Sequence, residues 1–165
     1  MKLYMKQKVF SWADKFYIRD ESGQYRYYIE GEIFTFGKKL HLYDQNGMER
    51  AFIWQKILSF LPRFYVEMDG MEVAEIQKEF TFFSPHYRVN GPGWEVEGDF
   101  WGHDYVVADK QGVVATVHKV WMSWGDSYEI DISDTQDEVM TLAIVLAIDA
   151  VMDAQASSSC SASQG

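Results

Sequence analysis

Residues 139–148 read VMTLAIVLAI, an almost uninterrupted apolar stretch. The surrounding segment, residues 137–152, contains no Gly or Pro and is rich in helix formers, so it predicts a helix. Only Thr141 is polar within the stretch, and a helix that is apolar around its whole circumference must be enclosed by protein or by lipid. A bilayer-spanning helix needs about 20 apolar residues, twice what this stretch supplies. The sequence therefore predicts a helix buried inside protein, with no transmembrane insertion.

Polar residues flank this helix on both sides. Thr135 and Glu138 have the spacing of a capping box, and Asp137 and Glu138 suit the positive end of a helix dipole. Asp149 directly follows the apolar run, although an acid near a helix C-terminus is mildly unfavourable. We expect its carboxylate to reach solvent or a backbone group at the end of the fold. A functional role inside the fold is the alternative.

The rest of the chain is typical of many short strands. Turn-forming pairs that contain Gly or Asn recur about every ten residues, which favours hairpins. Residues 94–100 (WEVEGDF) and 128–132 (YEIDI) alternate between apolar and polar side chains. A period of two with one polar face predicts half-buried strands.

An internal repeat divides the chain into two similar halves. Four times, a Lys is followed by a Tyr nine positions later. The four pairs are Lys8/Tyr17, Lys56/Tyr65, Lys78/Tyr87 and Lys119/Tyr128. Glu-Gly-acid and Asp-x-x-Gly sequences recur between them in the same order. We expect the repeated Lys and Tyr to stabilise the fold, because Lys stems cover aromatic faces and Tyr buries its ring.

Each half predicts about six strands. The predicted strands lie near residues 8–11, 16–20, 24–34, 39–44, 50–58, 64–68, 71–82, 86–90, 94–101, 104–109, 113–122 and 127–132. Twelve strands favour a closed barrel, since closure removes exposed sheet edges, and the apolar helix would fill its interior. The predicted fold class is mainly β (α+β): a closed twelve-stranded barrel from two internal repeats, enclosing a central hydrophobic C-terminal helix.

Length and composition set further limits. A chain of 165 residues that is 47% hydrophobic predicts one globular domain, residues 1–154, followed by a disordered Ser-rich tail, residues 155–165. The formal net charge of −10 argues against nucleic acid as a partner, because nucleic-acid binding needs a basic surface. A single Cys excludes a disulfide framework, and no signal-peptide pattern is visible, so a cytoplasmic location is expected.

Several segments of the chain resemble the LURP-one-related family, in particular its bacterial YxjI-type members. The resemblance covers about residues 1–153. It rests on residues 6–11 (KQKVFS), 80–83 (FTFF), 93–100 (GWEVEGDF), 123–132 (SWGDSYEIDI) and 146–150 (LAIDA). The resemblance implies a fold similar to the tubby C-terminal domain and the phospholipid scramblases, in which a twelve-stranded barrel surrounds a C-terminal helix.

The same resemblance suggests a function at membranes. Tubby domains bind phosphoinositides through a basic patch, so we expect a module that binds an anionic phospholipid head group, or another small ligand, at the membrane surface. Lys38 and Lys39, adjacent in a predicted hairpin, are the candidate ligand-binding residues, because a phosphate ligand needs converging cations. The alternative is a solvated hairpin, and the net negative charge opposes attraction to an anionic surface. The other basic candidates are Lys6, Lys8, Lys15 and Arg19.

Calcium is a second possibility that the resemblance raises, since scramblases act with calcium. The acidic run at residues 131–138 carries the oxygen ligands that calcium prefers, but it lacks the Gly-containing loop pattern. We expect these residues to cap the helix instead. Glu97, Asp99, His103 and Asp104 are close in sequence, and a solvated strand face is their expected role. We therefore expect no metal or other cofactor.

No catalytic motif is present. The sequence lacks the nucleophile elbow, the phosphate loop and the dinucleotide-binding loop, and its four His residues do not form a metalloprotease motif. The prediction is a non-catalytic protein without catalytic residues. The alternative to lipid binding is a cytoplasmic protein that binds a protein partner or is structural. A buried carboxylate–histidine cluster in a closed pocket would favour an enzyme.

Overall fold

The structure is a computed structural model that describes residues 1–6, 15–32, 35–79, 86–99, 102–123 and 125–162. Twelve strands and one helix lie within these residues. They are β1 (Lys2–Lys6), β2 (Phe16–Asp20), β3 (Tyr25–Gly31), β4 (Lys39–Asp44), β5 (Glu49–Gln55), β6 (Arg63–Met68), β7 (Met71–Glu79), β8 (His86–Asn90), β9 (Trp94–Asp99), β10 (Asp104–Asp109), β11 (Gly112–Met122), β12 (Gly125–Ile132) and α1 (Glu138–Ala162).

The strands form one closed antiparallel barrel, as the sequence predicts. Each strand pairs with its neighbours in the chain, and β1 closes the barrel by pairing with both β2 and β12. The predicted strand at residues 8–11 lies outside the described residues. The strand that closes the barrel is Lys2–Lys6 instead, where Leu3 and Met5 alternate into the core.

The two ends of the barrel differ in their connections. At one end, which we call the turn end, short turns such as residues 21–24, 45–48 and 69–70 join the strands. At the other, the loop end, the connections include the longer residues 32–38 and 56–62. Because neighbouring strands are antiparallel, successive connections alternate between the two ends.

The internal repeat has a structural counterpart in the two halves. In the Asp-x-x-Gly turns, the carboxylates of Asp44 and Asp109 each accept two backbone N–H bonds, of 2.7–3.1 Å, within their own turn. The Lys–Tyr spacing has a geometric cause in β7–β8 and β11–β12. Lys78 lies opposite Tyr87 and Lys119 opposite Tyr128, so nine residues is the length of a hairpin that connects cross-strand partners.

The helix α1 fills the barrel and packs mainly against β5, β6 and β7. Every residue from Leu142 to Ile148 is fully buried, which confirms the predicted enclosure. Burial of each large aliphatic side chain contributes about 1.5–3 kcal/mol to folding. Within the part of the chain that the structure describes, no helix combines the length and apolarity that a bilayer crossing requires.

The helix begins differently from the prediction. The cap is Asp137, whose Oδ1 accepts the Met140 N–H at 2.7 Å, and the predicted capping box of Thr135 and Glu138 is wrong. Glu138 instead accepts hydrogen bonds from Arg26 at 3.2 Å and from the Tyr27 hydroxyl at 2.9 Å. Burial and the bond to Glu138 raise the pKa of Tyr27 to about 12. These contacts join the first turn of the helix to β3 at the turn end.

The helix also ends later than the sequence suggests. It continues to Ala162, so residues 155–162 of the segment expected to be disordered are helical, and residues 163–165 lie outside the described residues. The physical reason is that propagation of an existing helix adds one hydrogen bond for each residue ordered, whereas nucleation is costly. The buried part of α1 supplies the nucleus, and the tail contains no Gly or Pro before Gly165.

Candidate functional site at the loop end

Apolar side chains project into solvent from two neighbouring loops at the loop end. Phe36 is 88% exposed, Phe60 is 92% exposed, and Leu58 is fully exposed. Ile57, beside Leu58, is about half exposed. We call these four residues the apolar rim. Such protruding apolar residues are unusual on a monomer, since contiguous apolar patches commonly mark a contact with a partner or a membrane.

Backbone hydrogen bonds hold the two rim loops together. The Lys38 N–H donates to the Gln55 side chain at 3.1 Å, and the Gln55 N–H donates to the Lys38 carbonyl at 2.8 Å. Gly37, at a φ of +80°, makes the approach possible, since a Cβ there would lie 3.1 Å from the Gln55 carbonyl oxygen. The predicted strand at 50–58 is therefore too long, because β5 ends at Gln55 and the chain turns outward.

The two candidate lysines lie beside this rim but bind different carboxylates. Lys38 forms an ion pair with Asp153 of α1, so its side chain turns towards the helix. Burial lowers the pKa of Lys38, and the bond to Asp153 opposes that shift. Lys39 binds Glu32 on the barrel wall at 3.1 Å. The structure therefore does not bring Lys38 and Lys39 to a common ligand position, and their binding role stays a prediction.

Glu32 is the centre of a small network on the wall. It accepts from the Lys39 ammonium, and it lies 2.9 Å from Nε2 of His41, whose Nδ1 lies 2.8 Å from Glu49. The hydrogen bonds from His41 and then from Lys39 lower the pKa of Glu32. His41 also stacks on Phe52 at 4.7 Å. This network connects the outer faces of β4 and β5, and Lys39 takes part in it through its hydrogen bond to Glu32.

Two of the repeated lysines face the inside of the barrel at the same end. Ala74 and Ile76 are buried, and alternation along β7 places Lys78 on their face. Lys119 of β11 likewise shares the inner face with Ala115 and Val117. Lys78 is half-buried and Lys119 is exposed, and Lys38 meets Asp153 of α1 at the same end. The sequence repeat singled out Lys78 and Lys119, but it did not show which face of the barrel these lysines occupy.

Three of the basic residues near the start of the chain line a separate groove on the outer wall. Lys6, Lys15 and Arg19 border a groove of about 260 Å³ together with tyrosines of β1–β3. Lys15 pairs with Glu30 at 2.8 Å and lies over the Tyr28 ring at 3.8 Å. Lys8, the fourth of these candidates, lies outside the described residues. The ion pair and the ring contact give Lys15 a structural role.

Asp149 lies inside the barrel, so the expectation that it reaches solvent or a backbone group is wrong. It is 1% exposed, and its Oδ1 accepts the Tyr105 hydroxyl at 3.1 Å. Burial, and next the charge of Asp149, raise the pKa of Tyr105 well above its ordinary value. Nδ1 of His103 lies 3.8 Å away, and the His103 ring stacks on Tyr128 at 4.4 Å. These contacts attach the last buried turn of α1 to β10.

The acidic residues considered for metal binding have other roles. Asp137 caps α1 and Glu138 binds β3, as described above. Glu97 and Asp99 are exposed on β9, on the solvated face that the alternation predicts. Within the described ranges, no three His, Cys, Asp or Glu side chains gather closely enough to hold a metal ion.

The barrel with an enclosed C-terminal helix places the protein in the tubby-like class of folds. A solved structure of an Arabidopsis thaliana protein, AT5G01750, is similar with a TM-score of 0.65 at 15% identity, over 91% of this chain and 90% of that one. The LURP-one-related family profile matches residues 1–149. The chain also resembles YxjI of Bacillus subtilis, with 37% identity over 152 residues, 92% of this chain and 94% of YxjI. The chain belongs to the LURP-one-related family.

Proposed function

We propose that this protein is a non-enzymatic cytoplasmic module that docks on phospholipid membranes with its loop end. The observation that carries the proposal is the apolar rim, in which Phe36, Leu58 and Phe60 project almost entirely into solvent from two adjoining loops. Transfer of each such side chain into an apolar phase is favourable by about 1.5–3 kcal/mol. Protruding tips of this kind suit the headgroup–acyl boundary of a bilayer.

Further residues at the loop end fit a membrane contact. Trp121, near the end of β11, is largely exposed at this end of the barrel. Trp is enriched at membrane interfaces because its ring is amphipathic. Lys56 follows β5 beside the rim, and its ammonium lies 5.9 Å from the centre of the Tyr65 ring. Trp121 and Lys56 lie at the same end of the barrel as the apolar rim, where α1 also leaves the barrel.

The net charge of −10 favours apolar insertion over electrostatic attraction as the basis of this membrane contact. Long-range attraction to an anionic membrane is weak or repulsive for so acidic a protein. Apolar insertion, by contrast, needs no net positive charge and is not weakened by the screening of charges in salt. Binding to uncharged lipid is therefore the property that follows from the rim.

Support for a role outside catalysis comes from the contacts of the acidic residues of the helix. Asp149 and Tyr105 bind each other and attach the helix to the wall. Asp137 and Glu138 hold the start of the helix. Asp137 and Glu138 thus have structural partners, which favours a binding module over an enzyme. Asp149 has one such partner, while its Oδ2 and the His103 Nδ1 at 3.8 Å from its Oδ1 have no hydrogen-bond partner among the described residues.

Co-sedimentation with phosphatidylcholine vesicles tests the proposal. We expect the wild type to bind, and the triple variant Phe36→Ser/Leu58→Ser/Phe60→Ser to lose at least about tenfold in partition coefficient. The matched control carries three apolar-to-Ser changes at exposed positions of the turn end. It is the triple variant Met48→Ser/Met71→Ser/Val113→Ser.

The control variant is expected to bind like the wild type. Equal loss in both triple variants would contradict the proposal, because general hydrophobicity would then drive adsorption. Failure of the wild type to bind any vesicle would also contradict it. That result, together with a stable complex in lysate without lipid, would favour the protein-partner alternative.

A further inference from the structure

We propose that protonation of His41 regulates the membrane docking of the loop end. The imidazolium form of His41 holds Glu32, at the base of the connection that carries Phe36, and loss of its proton weakens docking. The inference rests on the proposed function and adds a dependence on pH to it. It concerns the outer wall of β4 and β5, and it requires no charge on the lipid.

The protonation state of His41 follows from its hydrogen-bond distances. Nε2 lies 2.9 Å from a carboxylate oxygen of Glu32, and Nδ1 lies 2.8 Å from one of Glu49. A neutral imidazole has one N–H and one lone pair, so it can donate to only one of these carboxylates. Since only the imidazolium donates at both nitrogens, the arrangement requires the protonated ring. An ordinary imidazole loses this proton near pH 6.5, within the physiological range.

Three strands bring titratable groups to His41. Among the described residues these groups are Glu30 and Glu32 at the end of β3, Lys39 and Tyr43 on β4, and Glu49 on β5. Glu30 lies opposite His41 in the sheet, and its carboxylate pairs with Lys15 at 2.8 Å. Burial, and next the charge of Glu49, raise the pKa of Tyr43, so its hydroxyl stays neutral at physiological pH. The direct partners of the ring are therefore two carboxylates.

Glu32 connects this ring to the apolar rim. Its N–H donates to the Lys39 carbonyl at 3.1 Å, and its carboxylate accepts from the Lys39 ammonium at 3.1 Å. These two bonds join the ends of the connection at residues 32–38, from which Phe36 projects into solvent. The bond from His41 attaches the same carboxylate to the middle of β4. The base of the connection is thus held most firmly when His41 is protonated.

The direction of the pH effect follows from these contacts. At low pH the ring donates to both carboxylates, whereas at high pH its lone pair faces one of them and that bond is lost. A less firmly held base must be ordered during docking, which reduces affinity. Loss of one bond between partly exposed charged groups changes an equilibrium by about threefold. We therefore expect partitioning into vesicles to fall about threefold between about pH 5.5 and about pH 8.5.

The test compares Glu49→Gln with the wild type on phosphatidylcholine vesicles at both pH values. An amide at this position can donate to the lone pair of the neutral ring, which leaves the ring N–H for Glu32. We expect this variant to bind at both pH values as the wild type binds at low pH. The matched control is Asp104→Asn, which makes the same change of charge beside another histidine, His118, at 2.7 Å. It is expected to keep the wild-type fall.

Nuclear magnetic resonance of the wild-type ring nitrogens gives a readout that needs no variant. We expect both nitrogens of His41 to carry a proton at the low pH and only one at the high pH. A singly protonated ring at the low pH would overturn the inference.

The binding measurements separate the inference from the proposed function. Equal wild-type binding at both pH values would overturn the inference and leave the proposed function standing. A fall with pH that Glu49→Gln retains, or that Asp104→Asn also abolishes, would likewise overturn it. Failure of the wild type to bind at any pH would contradict the proposed function and the inference together.

Discussion

The turn end and the loop end of the barrel differ in the partners and the exposure of their side chains. At the turn end, polar side chains accept hydrogen bonds from the backbone of their own turns, as Asp44 and Asp109 do. Glu138 joins the helix to the barrel wall at the same end. At the loop end, the most exposed large apolar side chains among the described residues are Phe36, Leu58 and Phe60, which lie almost entirely in solvent. The same strands reach both ends, so strand formation does not require the exposed apolar side chains of the loop end.

This contrast distinguishes structural features that contribute to stability from structural features that contribute to binding. A turn that satisfies its own hydrogen bonds stabilises the hairpin and requires no partner. An exposed aromatic tip contributes little to the stability of the isolated protein, because its surface stays in water. Features at the turn end should therefore affect stability, and features of the apolar rim should affect binding.

The largest effect is expected in the helix that connects the two ends. Leu146→Ala removes a fully buried side chain and leaves a cavity, so we expect a loss of about 3–4 kcal/mol in the free energy of unfolding. Urea denaturation measures this loss. Hydrogen exchange should show faster opening at both ends together, and faster exchange at only one end would mean that the ends unfold independently.

The same substitution at two glycines, one at each end of the barrel, is expected to have different costs in stability. A Cβ at Gly91, where φ is +104°, would overlap the Val73 carbonyl oxygen within the turn-end backbone, so Gly91→Ala should cost about 3 kcal/mol. At Gly37 of the loop end, φ is +80° and the nearest atom is 3.1 Å away, so Gly37→Ala should cost about 1 kcal/mol. Thermal and urea unfolding of both variants measure the difference. A larger cost at Gly37 would contradict the assignment of the stabilising turns.

A pH dependence is expected at the turn end. Backbone hydrogen bonds, first from Met48, lower the pKa of Asp44 below its ordinary value of 3.8. Its contribution to stability is therefore complete above the unfolded-state pKa and is lost as pH falls through the lower folded-state pKa. Asp44→Ala should lower the Tm at neutral pH, and the difference from wild type should shrink as the pH falls below about 4. A difference that stays constant across that range would exclude this mechanism.

The smallest effect on stability is expected at the apolar rim. The variant Phe36→Ser/Leu58→Ser/Phe60→Ser should change the free energy of unfolding by no more than about 0.5 kcal/mol for each residue, since the side chains are exposed. Chemical denaturation in the absence of lipid measures this. A much larger loss would place these residues in the folding core and weaken the case for a binding surface.

The sequence predicted the enclosed helix and most strands because both depend on local patterns. An apolar stretch such as residues 139–148 can only be enclosed by protein or by lipid, and strands β8 to β10 follow plain alternation. The first strand was harder, because Lys2–Lys6 is short and contains two lysines. The long helical tail was missed because composition alone does not show that a buried nucleus precedes it.

The candidate site was less predictable, for a different reason. Ile57 and Leu58 continue the apolar pattern of β5, so sequence alone places them inside a strand, while tertiary contacts of Gln55 end that strand earlier. Which lysine meets Asp153 depends on how the helix sits in the barrel, and no local pattern contains that geometry. The partner of Asp149 is likewise distant in sequence, since Tyr105 lies 44 residues earlier.

The proposed function requires that the loop end, and not the turn end, enters the membrane. An environment-sensitive fluorophore tests it directly when it is attached at Leu58→Cys or, as the control, at Met48→Cys. Both variants carry Cys160→Ser, which removes the single natural Cys. We expect a blue-shifted, brighter emission on adding phosphatidylcholine vesicles for the label at position 58 and no change at position 48. An unchanged emission at position 58 with vesicle-bound protein, or equal changes at both positions, would contradict it.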